Sequence, residues 1–216
     1  REGIFHRPEH GFQRRTVDAR HVDGAVKGIF ASAALMVFAH GAFYTYFSLY
    51  LAQLGYSKAQ IGMFWVVGVV AEIVFFYTQA MFFARFGAFR LLAASFLLAA
   101  LRFFLIAEFA HLWLLLLMAQ LLHAATFAVH HSASILTIQH WFPGRAGARG
   151  QALYISIGYG VGGTAGSLVA AWLWSAFGPA AAFLSSSAAA LAGWWAVQRT
   201  RTLDRAAHAH AAASTS

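Results

Sequence analysis

The sequence predicts an all-α membrane protein with six transmembrane helices, on three observations. The 216-residue chain is 60% hydrophobic and only 10% charged, whereas soluble domains carry about 25% charged residues. Its apolar residues fall into six runs, near 28–53, 59–83, 89–110, 112–138, 151–176 and 180–198. Runs of about 20 residues are long enough to cross a bilayer as helices. Thirteen of the 15 Lys and Arg residues lie in four places: residues 1–27, the 85–90 turn, the 145–149 turn and the tail after 198. That alternation between loops predicts that both termini and both basic turns are cytoplasmic, by the positive-inside rule. The formal net charge is +8, yet a nucleic-acid binder gathers its cations on one face, so nucleic acid is not the expected partner. The bilayer is. With no cysteine in the chain, neither a disulfide framework nor a thiolate metal site is available.

Residues 1–27 are polar and mix six bases with four acids. They lack the apolar core of a signal peptide and read as a cytoplasmic linker, the end of a central loop with more chain ahead of it. Residues 28–198 form the expected six-helix bundle. The Ala-rich stretch 199–216, with His208 and His210, is of low complexity and is expected to be a disordered cytoplasmic tail.

In the first apolar run, His40, Phe43, Tyr44 and Phe47 share one helical face at spacings of three, four and seven. Tyr50 and Tyr56 fit an aromatic belt at the membrane surface. His40 is too central for a belt and is expected to face a cavity. The second and third runs each contain one ionisable residue, Glu72 and Arg102, flanking the basic turn Arg85-Phe-Gly-Ala-Phe-Arg90. A charge at mid-bilayer costs roughly 2.5–3.5 kcal/mol on insertion scales. A plain helix hairpin has no reason to carry that cost twice. The plainer alternative is an ion pair that fixes helix register. The reading preferred here has Glu72 and Arg102 paired across adjacent helices and facing a polar cavity through which something moves.

The fourth run carries the densest polar set: Gln120, His123, Thr126, His130 and His131. Positions 120, 123, 127 and 130 lie on one face, with His130 roughly 10 Å beyond His123 at ~1.5 Å per residue. Three histidines invite a metal, but His-Glu-x-x-His is absent and no second carboxylate lies nearby in sequence. No metal site is expected.

The fifth run contains Gly158-Tyr-Gly160-Val-Gly-Gly163, a letter-for-letter match to the dinucleotide pattern. That pattern has meaning only between a strand and a helix, and here it lies within an apolar run. Gly158, Gly162 and Gly166 recur every four residues, as in a smooth face for close helix packing. No nucleotide or other cofactor is expected.

These residues together carry a resemblance. Six spans, a basic Arg85-Phe-Gly turn after the second, and a Phe142-Pro-Gly…Arg149-Gly-Gln turn before a Gly-rich fifth span resemble the C-terminal half of a major facilitator superfamily transporter. More narrowly, His40-Gly41, Leu101-Arg102, Gln120-Leu-Leu-His123 and Arg149-Gly-Gln-Ala-Leu-Tyr154 are similar to the 3-phenylpropionic acid transporter family, of the lactose permease-like branch. The resemblance covers about residues 28–198. It implies half of a twelve-helix fold, completed by an N-terminal six-helix half.

Within that branch the resemblance sets Arg102 at the arginine of the ninth helix and His123 at the histidine of the tenth. Gln120 stands where the branch has a lysine, and Thr126 where it has the proton-carrying glutamate. Glu72 matches the glutamate of the eighth helix only loosely. The proton carrier therefore does not transfer by position, and Glu72, His123 or the other half of the transporter is left for that task.

The resulting expectation is proton-coupled transport of a small organic acid, aromatic by preference, across the inner (plasma) membrane. Arg102, His40, Tyr44, Gln120 and His123 are the expected substrate-binding residues, with Glu72 and His123 coupling protons. A sugar or nucleoside symporter is the alternative within transport, and a membrane sensor or scaffold the alternative outside it. No enzyme is expected, because neither Gly-x-Ser-x-Gly nor a histidine box is present.

Overall fold

The computed structural model describes residues 19–213 apart from 143, and side chains within 24–203 apart from 143 and 145. It is a bundle of six long helices: α1 (Ala19–Gln53), α2 (Lys58–Phe86), α3 (Ala88–Phe109), α4 (Trp113–Trp141), α5 (Ala146–Phe177) and α6 (Pro179–Ala213). Each is long and apolar enough to cross a membrane, and short connections force neighbours in sequence to run antiparallel. The chain is a multi-pass membrane protein. Among the described residues there is no strand, so the glycine pattern at 158–163 lies within helix α5 and not in a nucleotide-binding turn.

The helix boundaries have local causes. Ser57 opens α2 with a capping box: its hydroxyl accepts from the Gln60 amide, and the Gln60 side chain accepts from the Ser57 amide at 2.8 Å, satisfying two amides left over at the helix start. Gly87, at φ 76°, ends α2 and reverses the chain into α3 in a conformation that side chains with Cβ rarely adopt. Gly178, at φ 87°, does the same before Pro179, which suits a first helical turn because its missing N–H would lack a partner there.

α1 packs along α6 and α5, and α3 packs along α6 and α4. Phe43, Phe47, Phe96, Phe103 and Phe183 are fully buried between them. The α1–α5 seam is built on glycine, as the four-residue spacing predicts. A Cβ on Gly162 would lie 2.9 Å from the Ala34 Cα, and one on Gly158 would meet Val37 at 3.5 Å. Tyr50 and Tyr56 donate to the carbonyls of Ala107 and Ala110 at 3.2 and 2.9 Å, so the expected belt residues also tie α1 and the turn after it to the end of α3. α2 is different. It touches mainly α4 and exposes apolar side chains along most of its length, including Val66, Val70, Val74 and Tyr77.

The structure departs from the sequence reading at both ends of the bundle. α1 begins at Ala19, so the last part of the expected 1–27 linker is helical; residues 1–18 lie outside the described residues. The expected disordered tail is helical through Ala213 as a continuation of α6. Ala dominates that stretch, and Ala has the highest helix propensity, so no apolar periodicity is needed to extend the helix. Residues 214–216 lie outside the described residues.

Two helices widen locally. α4 makes a π turn at Ala125–Val129 and α5 at Ser156–Gly163. Such widenings appear often at functional sites, and these two place Phe127 and Tyr159 on the wall of one cavity.

Candidate functional site

Four helices converge at mid-span. His40 comes from α1, Glu72 from α2, Arg102 from α3, and Gln120, His123 and Thr126 from α4. His40, Glu72 and Thr126 lie near the middle of their helices and Arg102, Gln120 and His123 within the same spans, so the set lies inside the apolar part of the bundle.

Arg102 is the centre of that set and is fully buried. Its Nε donates to the Ala119 carbonyl at 3.0 Å, and its Nη1 donates to the Thr126 hydroxyl at 3.2 Å. The guanidinium carbon lies 4.1 Å from the Phe43 ring centroid, where the ring face attracts a cation. His40 completes the arrangement. Its Nδ1 lies 2.9 Å from the Met36 carbonyl, which can only accept, so Nδ1 carries the hydrogen. Nε2 is then the bare acceptor, and it lies 3.4 Å from Arg102 Nη1 and 3.5 Å from the Thr126 hydroxyl. The Nη2 of Arg102 is buried and has no protein partner.

Glu72 does not pair with Arg102. Its Oε1 lies 2.6 Å from His123 Nε2, and this corrects the expected Glu72–Arg102 ion pair. The cause lies at Gly68, one turn before Glu72. With no side chain there, α2 closes on α4 until a Cβ at 68 would lie 3.1 Å from His123 Cδ2 and 3.4 Å from Gln120 Oε1. His123 thereby comes within reach of Glu72 while Arg102 stays behind Thr126. The two are joined indirectly, since the Thr126 hydroxyl donates to the His123 carbonyl at 3.1 Å.

The other expected residues divide. Gln120 is buried in the same layer, and neither atom of its amide has a protein partner. Tyr44 is 48% exposed and lies 5.6 Å from the His40 ring, so it forms the open edge of the site. A narrow cavity of ≈ 10 Å³, room for about one water, lies between His40, Tyr44, Thr126, Phe127, His130 and Tyr159. It adjoins a surface groove along Tyr44, Tyr159, Thr164 and Ser167. Among the described residues no cluster of three or more His, Asp or Glu side chains has the arrangement of a metal site.

Two positions of the layer were given no role by the sequence reading. Thr126 stands there as a member of the polar set and in place of a glutamate, yet it links Arg102, His40 and the His123 backbone. Tyr159 hides inside the glycine pattern; an aromatic among glycines in a membrane helix was the available signal.

Residues 15–185 match the model of the family described as "MFS_1 like family". The chain belongs to that family. Among curated proteins, the "Probable 3-phenylpropionic acid transporter" of Escherichia coli (strain K12) is 31% identical over 134 residues, which is 60% of this chain and 34% of that protein. The match therefore spans about a third of that relative's length. No solved structure is significantly similar. Membership of the MFS_1-like family agrees with the sequence resemblance and with six apolar helices and no strand among the described residues. That membership supports the expectation that the chain is not an enzyme. The site residues sit where this family member is most polar, in the middle of otherwise apolar spans.

Proposed function

We propose that this chain is the C-terminal half of a proton-coupled transporter for a small organic acid, with an N-terminal six-helix half completing it. Such transporters bind cargo near the midplane between two repeats and alternate access by rocking them. The observation that carries the reading is the charge balance of the mid-span layer. Arg102 contributes one fixed positive charge with no carboxylate of the described residues in contact, and Glu72, held by His123, contributes one negative charge. A proton added to Glu72 leaves Arg102 uncompensated in a low-dielectric layer, which is strongly unfavourable. A substrate carboxylate restores neutrality. Proton and anion therefore each raise the other's affinity, and that coupling is reciprocal.

The open Nη2 of Arg102 is the donor available to a carboxylate, and a guanidinium takes one in two parallel bonds. Because Arg102 is fully buried, His40 or Thr126 must turn aside before the anion reaches it. Gln120 and His123 offer further hydrogen bonds from α4, and Tyr44, Phe127 and Tyr159 supply an aromatic wall at the opening. That wall, together with the name of the Escherichia coli relative, supports an aromatic acid as cargo. The basic turns support an inner-membrane orientation with both termini cytoplasmic.

The test is uptake by the full-length protein in proteoliposomes. An inward proton gradient should drive accumulation of 3-phenylpropionate or a similar aromatic acid, and the acid should carry protons in with it. Accumulation of a neutral sugar under the same gradient, with no acid uptake, would sink the reading.

A further inference from the structure

The binding scheme above ends at the aromatic opening of the site. Beyond it lies the groove between α1 and α5, of ≈ 440 Å³, lined by Gly41 and Tyr44 from α1 and by Tyr159, Gly163, Thr164 and Ser167 from α5. Val37, Tyr44 and Tyr159 border both this groove and the narrow cavity that reaches His40 and Thr126. Those two residues are the ones that contact Arg102 Nη1. One path therefore leads from the guanidinium, past the two tyrosines, into the groove.

The groove is polar where a lipid-facing surface would be apolar. Along α2 the exposed Val66, Val69, Val70, Ile73 and Val74 are hydrocarbon, as contact with acyl chains requires. On the α1–α5 face Tyr44, Thr45, Tyr159 and Thr164 are exposed inside their spans, and each brings a hydroxyl. A hydroxyl turned to hydrocarbon without a partner is costly, so this face looks onto water or a polar ligand. Among the described residues no charged side chain lines the groove. A charged group would find no counter-charge there, and a neutral polar one fits.

The hydroxyls also have a direction. Thr45 donates to Ser167 Oγ at 3.3 Å, so Ser167 accepts that bond and keeps its own hydrogen to give. Thr164 lies three residues earlier on the same side of α5 and opens onto the same groove. Gly41 and Gly163 put no side chain between the two tyrosines, which leaves room for a flat ring.

We propose that the groove holds the ring end of an aromatic acid carrying a hydroxyl opposite its acidic side chain, which makes the cargo a hydroxyphenyl acid. The ring lies between Tyr44 and Tyr159 beside Gly41 and Gly163. Ser167 donates to the ring hydroxyl, and Thr164 accepts the phenolic hydrogen. The carboxylate lies at Arg102. This names the substrate class of the acid transporter proposed above and rests on that reading for the carboxylate; the ring subsite rests on the groove.

The test is binding to the purified full-length protein, read as ligand protection against thermal unfolding, with 3-phenylpropionate and 3-(4-hydroxyphenyl)propionate as a matched pair. Hydrogen bonds between neutral groups are individually modest, so the two together should give the hydroxylated acid a Kd roughly tenfold lower. Thr164→Val with Ser167→Ala removes both hydroxyls at little change in volume. That double variant should bring the two acids to within about twofold of each other, the loss falling on the hydroxylated one. Thr45→Val breaks the Thr45–Ser167 bond but spares the Ser167 donor, and it should keep the preference. Equal Kd values in the wild type overturn the subsite and leave its hydroxyls to pack against the other half. An undiminished preference in the double variant overturns the roles of Thr164 and Ser167. The amides of the two acids separate this inference from the reading beneath it. Lacking the negative charge, they should bind roughly tenfold or more weakly than the acids, through loss of the charge-assisted bonds to Arg102. Amides that bind as tightly as the acids overturn the carboxylate reading, and the hydroxyl preference within each pair still decides the subsite. Protection by neither acids nor amides overturns both.

Discussion

His123 joins α4 to α2 through a contact of 2.6 Å between its Nε2 and Oε1 of Glu72, at the middle of both spans. α2 has few other polar ties to the bundle; the Trp65 indole donating to Ser48 at 3.0 Å is one. The same contact that holds the carboxylate proposed to bind the proton also holds the least covered helix. On that proposal a change of protonation at Glu72 alters how α2 sits against α4, and small shifts at packed helices are a common way for bundles to switch.

Glu72→Gln should abolish proton-driven accumulation and leave substrate exchange largely intact. The amide can still hydrogen-bond His123 but cannot gain or lose a proton. The measurement is uptake under an acid gradient beside counterflow of labelled substrate. Accumulation against a gradient with unchanged pH dependence would move proton carriage to His123 or to the other half.

Arg102→Lys should weaken acid binding by roughly tenfold or more, since one hydrogen bond to a charged group is worth about 1.5–3 kcal/mol. An ammonium offers neither the paired donors of the guanidinium nor its planar contact with Phe43, which lies 4.1 Å from the guanidinium carbon. Substrate protection against thermal unfolding provides the reading. Undiminished protection in the lysine variant would show that a point charge is enough.

Gly162→Leu should force α1 and α5 apart, because a Cβ at 162 already falls against the Ala34 backbone. Overpacking of this kind costs about 3 kcal/mol or more when backbone must move. Folding yield and melting temperature should both fall. Wild-type stability in this variant would mean that the seam is looser than its glycines indicate.

Lys58→Cys and His111→Cys should react with an impermeant thiol reagent added outside cells, and Arg90→Cys and Ala148→Cys should not. All four positions are exposed and lie at opposite ends of the bundle. Gly147, in the same basic turn as Ala148, is buried and would report nothing. External labelling at Arg90→Cys would invert the orientation.

The sequence by itself determined the six spans, the glycine seam and the identity of nearly every polar group at mid-span. These follow from quantities local to the chain: apolar run length, glycine spacing and the rarity of charge inside apolar helices. The extent of the helices beyond the apolar runs was less legible, since propensity extends a helix where hydropathy has stopped. Only the tertiary structure decided who pairs with whom. Glu72 and Arg102 looked like natural partners because they are opposite charges in adjacent helices. Gly68 lets α2 approach α4 instead, which gives Glu72 to His123, while Thr126, His40 and Phe43 enclose Arg102. Pairing depends on helix rotation and approach to within an ångström, and those are set by small residues on the contacting faces rather than by the charges.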